Sequence, residues 1–233
     1  MSTWYFLNQG RPKWPFVMGI STSILNLASY LGIGLIVWGE QGEVEYGGKA
    51  NTQNLQKFTR DFLINIYYEG NDPSGWGHYW KAPSDEQLQK IDSTWWSYYE
   101  DWDPQVHAKH AKKHMGFQML VGGSIGTFTN YSQLDDVFQD LHAYMQFVKF
   151  GFGRCTSDAS IEIRRGRMTR DQGVKVVRML DGLFPLEYLD AYCDYLDITA
   201  KQFWQIIDKF ANKNILVKTD KLERPWVLKE LCA

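Results

Sequence analysis

The sequence predicts an α/β protein that is mostly helical, and three observations carry that expectation. A helically spaced apolar segment ends at a glycine and passes straight into a short unbroken apolar run, as a helix followed by a buried strand does. Three Ser/Thr-x-x-Gln capping boxes, at Ser84/Gln87, Thr169/Gln172 and Thr199/Gln202, mark helix starts. Beyond that first run only Gln118 to Val121 offers a further strand, so helices account for most of what remains.

In chain order, residues 1–15 read as irregular, punctuated by Gly10, Pro12 and Pro15. From Phe16 to Leu31 the positions Val17, Ile20, Ile24, Leu27, Ala28 and Leu31 recur at helical spacing, and Gly32 stands where a helix C-terminus favours glycine. Gly34 to Gly39 then reads as a strand buried on both faces. Such a strand needs neighbours, and an α/β layer with one or two strands resembles the end of a sheet whose beginning is absent. A helix is expected over 51–68, a second from Ser84 to about Tyr99, and a polar one over 104–114. Ser132 is expected to cap a helix reaching about Val148, with Leu134, Val137, Phe138, Leu141 and Tyr144 on one face. Beyond Ser157 the chain reads as a compact helical region. Two domains are therefore expected, 1–156 and 157–233.

Hydrophobic residues make up 44% and charged residues 22%, which calls for a packed core rather than disorder. Aromatic residues, at 15%, supply core area and can also line sugar or nucleotide pockets. The 25 basic and 27 acidic residues give a net charge of −2, which argues against a nucleic-acid-binding module. Cys155, Cys193 and Cys232 are too few and too scattered for a disulfide framework or a metal site, and suit a reducing compartment. No stretch is apolar enough to span a bilayer, and the start lacks a signal peptide's charged and apolar regions. A cytoplasmic location is expected.

Four segments have residues that can carry chemistry. Trp38 to Gly48, holding Glu40, Tyr46, Gly47 and Gly48, comes after the expected strand, where ligands of open α/β sheets bind. It reads either as a ligand loop or as a solvated glycine-rich turn. Lys149 to Asp158 alternates glycines with aromatics and sets Lys149 and Arg154 five residues apart. Glycine lets a ligand approach the backbone, Arg presents a fork to phosphate or carboxylate, and a helix starting near Ser157 would add amide donors. The same segment also reads as a plain helix–turn–helix junction. Gly122 to Asn130, with Thr127 and Asn130, resembles a phosphate-cradling loop without its lysine, or a simple turn. His107, His110 and His114 share helical spacing, but Lys109, Lys112 and Lys113 among them favour a solvated basic helix over a zinc site.

The runs GLIVWGEQGEVEYGG, GTFTNYSQLDD, YMQFVKFGFGRCTSDASIEIRRGRMTRDQGVKVV and LDGLFPLEYLDAYCDYLDITAKQFWQIIDKF together resemble the N-acetyl sugar amidotransferases of surface-polysaccharide and lipopolysaccharide biosynthesis. The resemblance extends from about Pro15 to Phe210, and its third run is the most specific. It implies conversion of a sugar acetamido group to an acetamidino group. ATP, with Mg2+, would adenylate the amide oxygen, ammonia would attack the imidate carbon, and AMP would leave. It implies a nucleotide-linked N-acetyl sugar as substrate, with ammonia from a glutaminase through a synthase-like subunit.

That family carries an N-terminal Ser-Gly-Gly-Lys-Asp-Ser pyrophosphate loop, which this sequence does not contain. The resemblance thus implies a truncated remnant of a parallel-sheet PP-loop ATP-pyrophosphatase domain followed by a C-terminal helical region, inactive alone. Carried over by motif, Glu40 would contact substrate or metal, with Tyr46, Gly47 and Gly48 shaping its loop. Lys149 and Arg154 would neutralise phosphate or a sugar carboxylate, Asp158 would orient Arg154, and Arg164 would complete the anion site. Thr127 and Asn130 would bind sugar hydroxyls. The alternative is a non-catalytic remnant that serves as a docking module for the ammonia-supplying partner.

Overall fold

A computed structural model describes residues 1–39, 57–68, 75, 77, 80–132 and 134–229. It is mostly helical with a small two-stranded parallel sheet, an α/β arrangement. The chain forms two compact units, one of residues 14–103 and the other of residues 1–13 with 104–233. Position 156, the expected domain boundary, lies inside a helix.

In the 14–103 unit, α2 (Trp14–Leu31) starts soon after the other unit's α1 (Ser2–Gln9), so residues 1–15 are largely helical where irregular chain was expected. Gly32 ends α2 in a left-handed turn with φ +69°, and the Ile33 amide donates back to the Ala28 carbonyl at 2.8 Å. The buried side of α2 is Met18, Thr22, Leu25 and Ala28. Of the stripe that the spacing singles out, Ile20, Ile24, Leu27 and Leu31 face solvent together with Phe16, Val17 is half-buried and Ala28 is buried. The helix is thus apolar on two sides, and periodicity picked out mostly the outer one.

Strand β1 (Leu35–Trp38) comes next. Only Ile36 is buried, while Leu35 and Val37 are about half exposed, so this strand is not covered on both faces. Of the helix expected over 51–68, residues 51–56 lie outside the described residues. The remainder forms the short turn α3 (Arg60–Phe62), capped by the Thr59 side chain, which widens into a π-turn at Leu63–Tyr67. The Ser84 capping box forms as expected, but α4 (Asp85–Leu88) is a single turn. The chain then enters β2 (Asp92–Trp95), parallel to β1 with Leu35 opposite Asp92 and Trp38 opposite Trp95. Ladder pairing with β1 outweighs the weak helical signal of Ser93, Thr94 and Trp95, a segment whose Thr and Trp favour strands. Gln118 to Val121 forms no strand.

In the other unit, Gly10 ends α1 with φ +61°, and a side chain there would meet Met145 at 2.6 Å, so α1 lies close against α6 (Phe138–Phe150). Polar α5 (Pro104–His114) holds its three histidines exposed, as a solvated helix requires. α6 starts six residues after Ser132. The Ser132 hydroxyl is engaged with Thr129, and the Phe138 amide donates to Asp136 Oδ1 at 2.6 Å instead. α7 (Arg154–Arg164), α8 (Arg170–Leu180), α9 (Leu189–Leu196) and α10 (Ala200–Phe210) complete the helices, with capping boxes at Thr169 and Thr199 as the sequence predicts.

A small antiparallel hairpin, β3 (Leu216–Lys218) and β4 (Trp226–Leu228), is the departure from the expected all-helical C-terminal region. The core of this unit is aromatic. Phe203 stacks on Phe6 at 5.3 Å and on Tyr192 at 6.2 Å, and Phe184 bridges Phe203 to Tyr144. Rings of this size bury enough area to hold the short helices around them.

Candidate functional site

The glycine junction between α6 and α7 is built by two conformational demands. Gly151 closes α6 with φ +80° and donates its amide to the Phe147 carbonyl at 2.7 Å. A Cβ there would meet Ile215 at 2.7 Å, so neither the backbone angle nor the space admits another residue. Gly153, extended, is the N-cap of α7, which begins three residues earlier than Ser157.

A carboxylate from this chain meets amides at the start of α7. Asp181, at the C-terminal end of α8, accepts from the Gly153 amide at 2.9 Å, the Thr156 amide at 3.4 Å and the Thr156 hydroxyl. An Asp at a helix N-terminus meets unpaired N–H groups and the positive end of the helix dipole. Burial pushes the Asp181 pKa up, and the bonds from Thr156, Gly153 and Cys155 pull against that shift. The anion site expected at this helix start is therefore filled internally.

One turn on, Arg154 and Asp158 pair along α7, Nε to Oδ1 at 3.0 Å, with exposures of only 7% and 4%. The other oxygen of Asp158 accepts from the Thr127 hydroxyl at 2.5 Å and the Thr129 hydroxyl at 3.0 Å. Loop 120–132 is folded to bring those hydroxyls inward. Its ends are tied by the Leu120 amide on the Asn130 carbonyl at 2.8 Å, and by the Asn130 side chain on the Leu120 carbonyl at 3.1 Å. Within it, Gly122 and Gly126 adopt positive φ, and Ser124 donates to the Ser132 carbonyl. The Cys155 amide donates to the Gly126 carbonyl at 3.2 Å and locks loop to helix. Tyr131 beside this knot has its pKa pushed up to about 12, by burial first and then by the negative charges of Asp158 and Glu162.

The structure thus brings Arg154, Asp158 and Thr127 together, and Asn130 closes the same loop. Lys149 points elsewhere. Its ammonium donates to the Gln9 carbonyl and lies 5.2 Å from the Phe210 ring centroid, tying α6 to α1 and α10. Arg164 is exposed at the far end of α7, ten residues or about 15 Å of helix from Arg154. Glu40, Tyr46, Gly47 and Gly48 lie outside the described residues. Among the described residues no group of three His, Cys, Asp or Glu side chains is placed to hold a metal ion. The carboxylates of Asp158 and Asp181 are committed to Arg154, hydroxyls and amides, so these two do not offer themselves to Mg2+. No described helix is long and apolar enough to cross a membrane.

Two features escaped the sequence. Asp181 stands 27 positions beyond Arg154, with no spacing rule to connect them; its one local signal is the Asp-Gly pair that stops α8. The second is a groove of about 780 Å³ between α7, α8 and the hairpin, with Phe150 at one side. Its walls are mostly aliphatic, and its charged lining residues are Arg170, Arg178 and Lys229.

A helical domain held together by a buried Arg–Asp–hydroxyl knot, with a basic-rimmed groove on its flank, is the class of protein that fold and site define. Residues 125–231, all within the unit containing this knot, match the family described as LPS biosynthesis protein WbpG-like, C-terminal domain. The match takes in a little under half of the chain and makes that part similar to a C-terminal domain of lipopolysaccharide biosynthesis proteins. No curated protein matches the chain.

Proposed function

We propose that the chain works in an ATP-dependent amidotransferase that turns the acetamido group of a nucleotide-linked N-acetyl sugar into an acetamidino group. The observation that carries this reading is the match of residues 125–231 to the WbpG-like domain, which includes the glycine junction and all of α7 and α8. In the reaction, the amide oxygen attacks the α-phosphorus of ATP and pyrophosphate leaves. Ammonia from a glutaminase partner, passed through a synthase-like subunit, adds to the imidate carbon. AMP departs with the former amide oxygen, and a proton is lost to give the neutral amidine or retained as amidinium. The 233 residues contain no Ser-Gly-Gly-Lys-Asp-Ser loop, so the adenylating step draws on a nucleotide loop from outside this sequence.

Within that scheme Arg154 and Asp158 are positioning residues. Their pairing holds Thr127 and the loop ending at Asn130 against α7. Glu40, with Tyr46, Gly47 and Gly48, is proposed for the substrate side, and Arg164 for an anion at the other end of α7. Lys149, bound to the Gln9 carbonyl, has a place in the scaffold.

A second reading is favoured by a specific observation: Lys149, Arg154 and the first amides of α7 all meet partners inside the protein. Under it, the chain is a non-catalytic docking module for the ammonia-supplying subunits. One experiment separates the two. The chain, a loop-bearing polypeptide of the same family, ATP, ammonia and a nucleotide-linked N-acetyl sugar are incubated together. AMP and pyrophosphate are followed by chromatography, and exchange of oxygen for NH is read in the sugar mass. Turnover that needs this chain and falls with Asp158→Ala supports the amidotransferase reading. Stable co-purification with a glutaminase or synthase partner, with turnover indifferent to this chain, supports docking alone.

A further inference from the structure

The groove on α8 is flanked by charge in a particular way. Arg170 and Arg178 stand eight residues apart on one helix, and Val174 and Val177 fill the stripe between them. Eight residues of helix place the two arginines about 12 Å apart along the groove. Lys229 adds a third cation from the hairpin side, and among the described residues no Asp or Glu lines the groove. Among the described residues, none of these three side chains has a hydrogen-bond or ion-pair partner, whereas Arg154, Arg167, Lys149 and Lys218 all do.

Size narrows the occupant. The groove, about 780 Å³ in volume, runs along that stripe. The walls are themselves two helices and a hairpin, with Ile163 on the α7 side, and they offer aliphatic contact along the whole stripe. A small anion would use one cation and leave the other end of the groove empty. A helix with apolar residues facing inward and carboxylates two turns apart would meet all of it. From this charge complementarity we infer that the groove docks an acidic amphipathic helix of a partner protein. The inference rests on the groove alone and stands or falls apart from the amidotransferase reading.

The test uses the full chain and a fluorescein-labelled synthetic helix with Glu at two positions eight apart and Leu at the third, fourth and seventh positions between them. A second peptide has Lys in place of both Glu residues. Anisotropy titration at low salt is expected to show binding of the Glu peptide. The Arg170→Glu/Arg178→Glu double variant is expected to weaken it about ten-fold, a size consistent with two exposed charge contacts reversed. The Lys peptide is expected to prefer that variant to the native chain, a rescue that a merely damaged fold cannot produce. Lys229→Glu, just past the end of β4, provides an independent arm with a smaller loss, about three-fold. Equal binding of the Glu peptide to native and reversed chains would overturn the inference, as would no preference of the Lys peptide. Inorganic pyrophosphate binding that the variant loses, with no peptide bound, would reassign the groove to a small phosphate ligand. A native dimer that the charge reversals dissociate would reassign it to a second copy of this chain.

Discussion

Replacing Asp158 with alanine tests the knot at its centre. The carboxylate is 4% exposed and accepts from Arg154 Nε at 3.0 Å, Thr127 at 2.5 Å and Thr129 at 3.0 Å. Its removal leaves a guanidinium that is 7% exposed without its carboxylate, and takes an acceptor from two buried hydroxyls. Breaking a buried ion pair from one side costs about 3–5 kcal/mol, because the remaining charge stays desolvated. A loss of about 4 kcal/mol lowers a urea midpoint by about 2 M at an m-value near 2 kcal/mol/M. The control is Arg154→Met/Asp158→Leu, which removes both charges and fills the space. It should cost no more than about 2 kcal/mol, since paired removal leaves no stranded ion. Thr127→Val, which removes one donor while Asp158 keeps its bonds from Arg154 and Thr129, should cost about 1 kcal/mol. Urea titrations of all four proteins by circular dichroism decide the matter. An Asp158→Ala midpoint within about 0.5 M of the native one, or a double variant as damaged as the single, would refute the burial-and-pairing argument.

Three further outcomes are expected from the geometry. Asp140 has its pKa raised to about 7, by burial first and then by Glu187 and Asp136, so the folded state holds its proton more tightly than the unfolded chain does. Its stabilising share is present at about pH 4 and is lost as pH rises towards about 7. Urea midpoints measured between about pH 4.5 and about pH 8 should therefore slope less in Asp140→Asn than in the native protein. Gly182→Ala should cost at least about 2 kcal/mol by thermal or urea unfolding, since φ is +77° and the new methyl would lie 2.5 Å from the buried Phe147 ring. Cys155 is fully buried and burial pushes its thiol pKa up, so iodoacetamide should label it only as the domain opens, with a rate that tracks urea. Peptide mapping by mass spectrometry reads that rate directly.

Elements announced by local chemistry were legible in the sequence. The boxes at Ser84, Thr169 and Thr199, the glycine stop at Gly32 and the polar helix over 104–114 all appear, because each is decided by residues close in the chain. Elements decided by distant partners were not. The 92–95 segment becomes a strand only because β1 lies beside it, and the hairpin at Leu216 and Trp226 is held by pairing across the loop between them. The same division runs through the candidate site. Arg154 and Asp158 sit one helical turn apart, so their pairing could be read from spacing, and the resemblance implied it. Asp181 filling the start of α7 could not, since its contact with Gly153 spans 28 positions. Lys149 shows the limit of a flanking-charge argument. From its sequence neighbours it belongs to the glycine junction, yet a long flexible stem carries its ammonium to the Gln9 carbonyl.

The outward side of α2 has a consequence for handling the molecule. Phe16, Ile20, Ile24, Leu27 and Leu31 stand between 36% and 57% exposed. Water against side chains left half wet forgoes roughly 1 kcal/mol apiece, about 5 kcal/mol for the row. That sum rivals the entire net stability of many folded domains. Any agent that dries this row, from a mild detergent micelle to a hydrophobic resin, should therefore raise the melting temperature and suppress clumping on concentration. Added sulfate should promote clumping instead, by strengthening the tendency of such rows to seek one another.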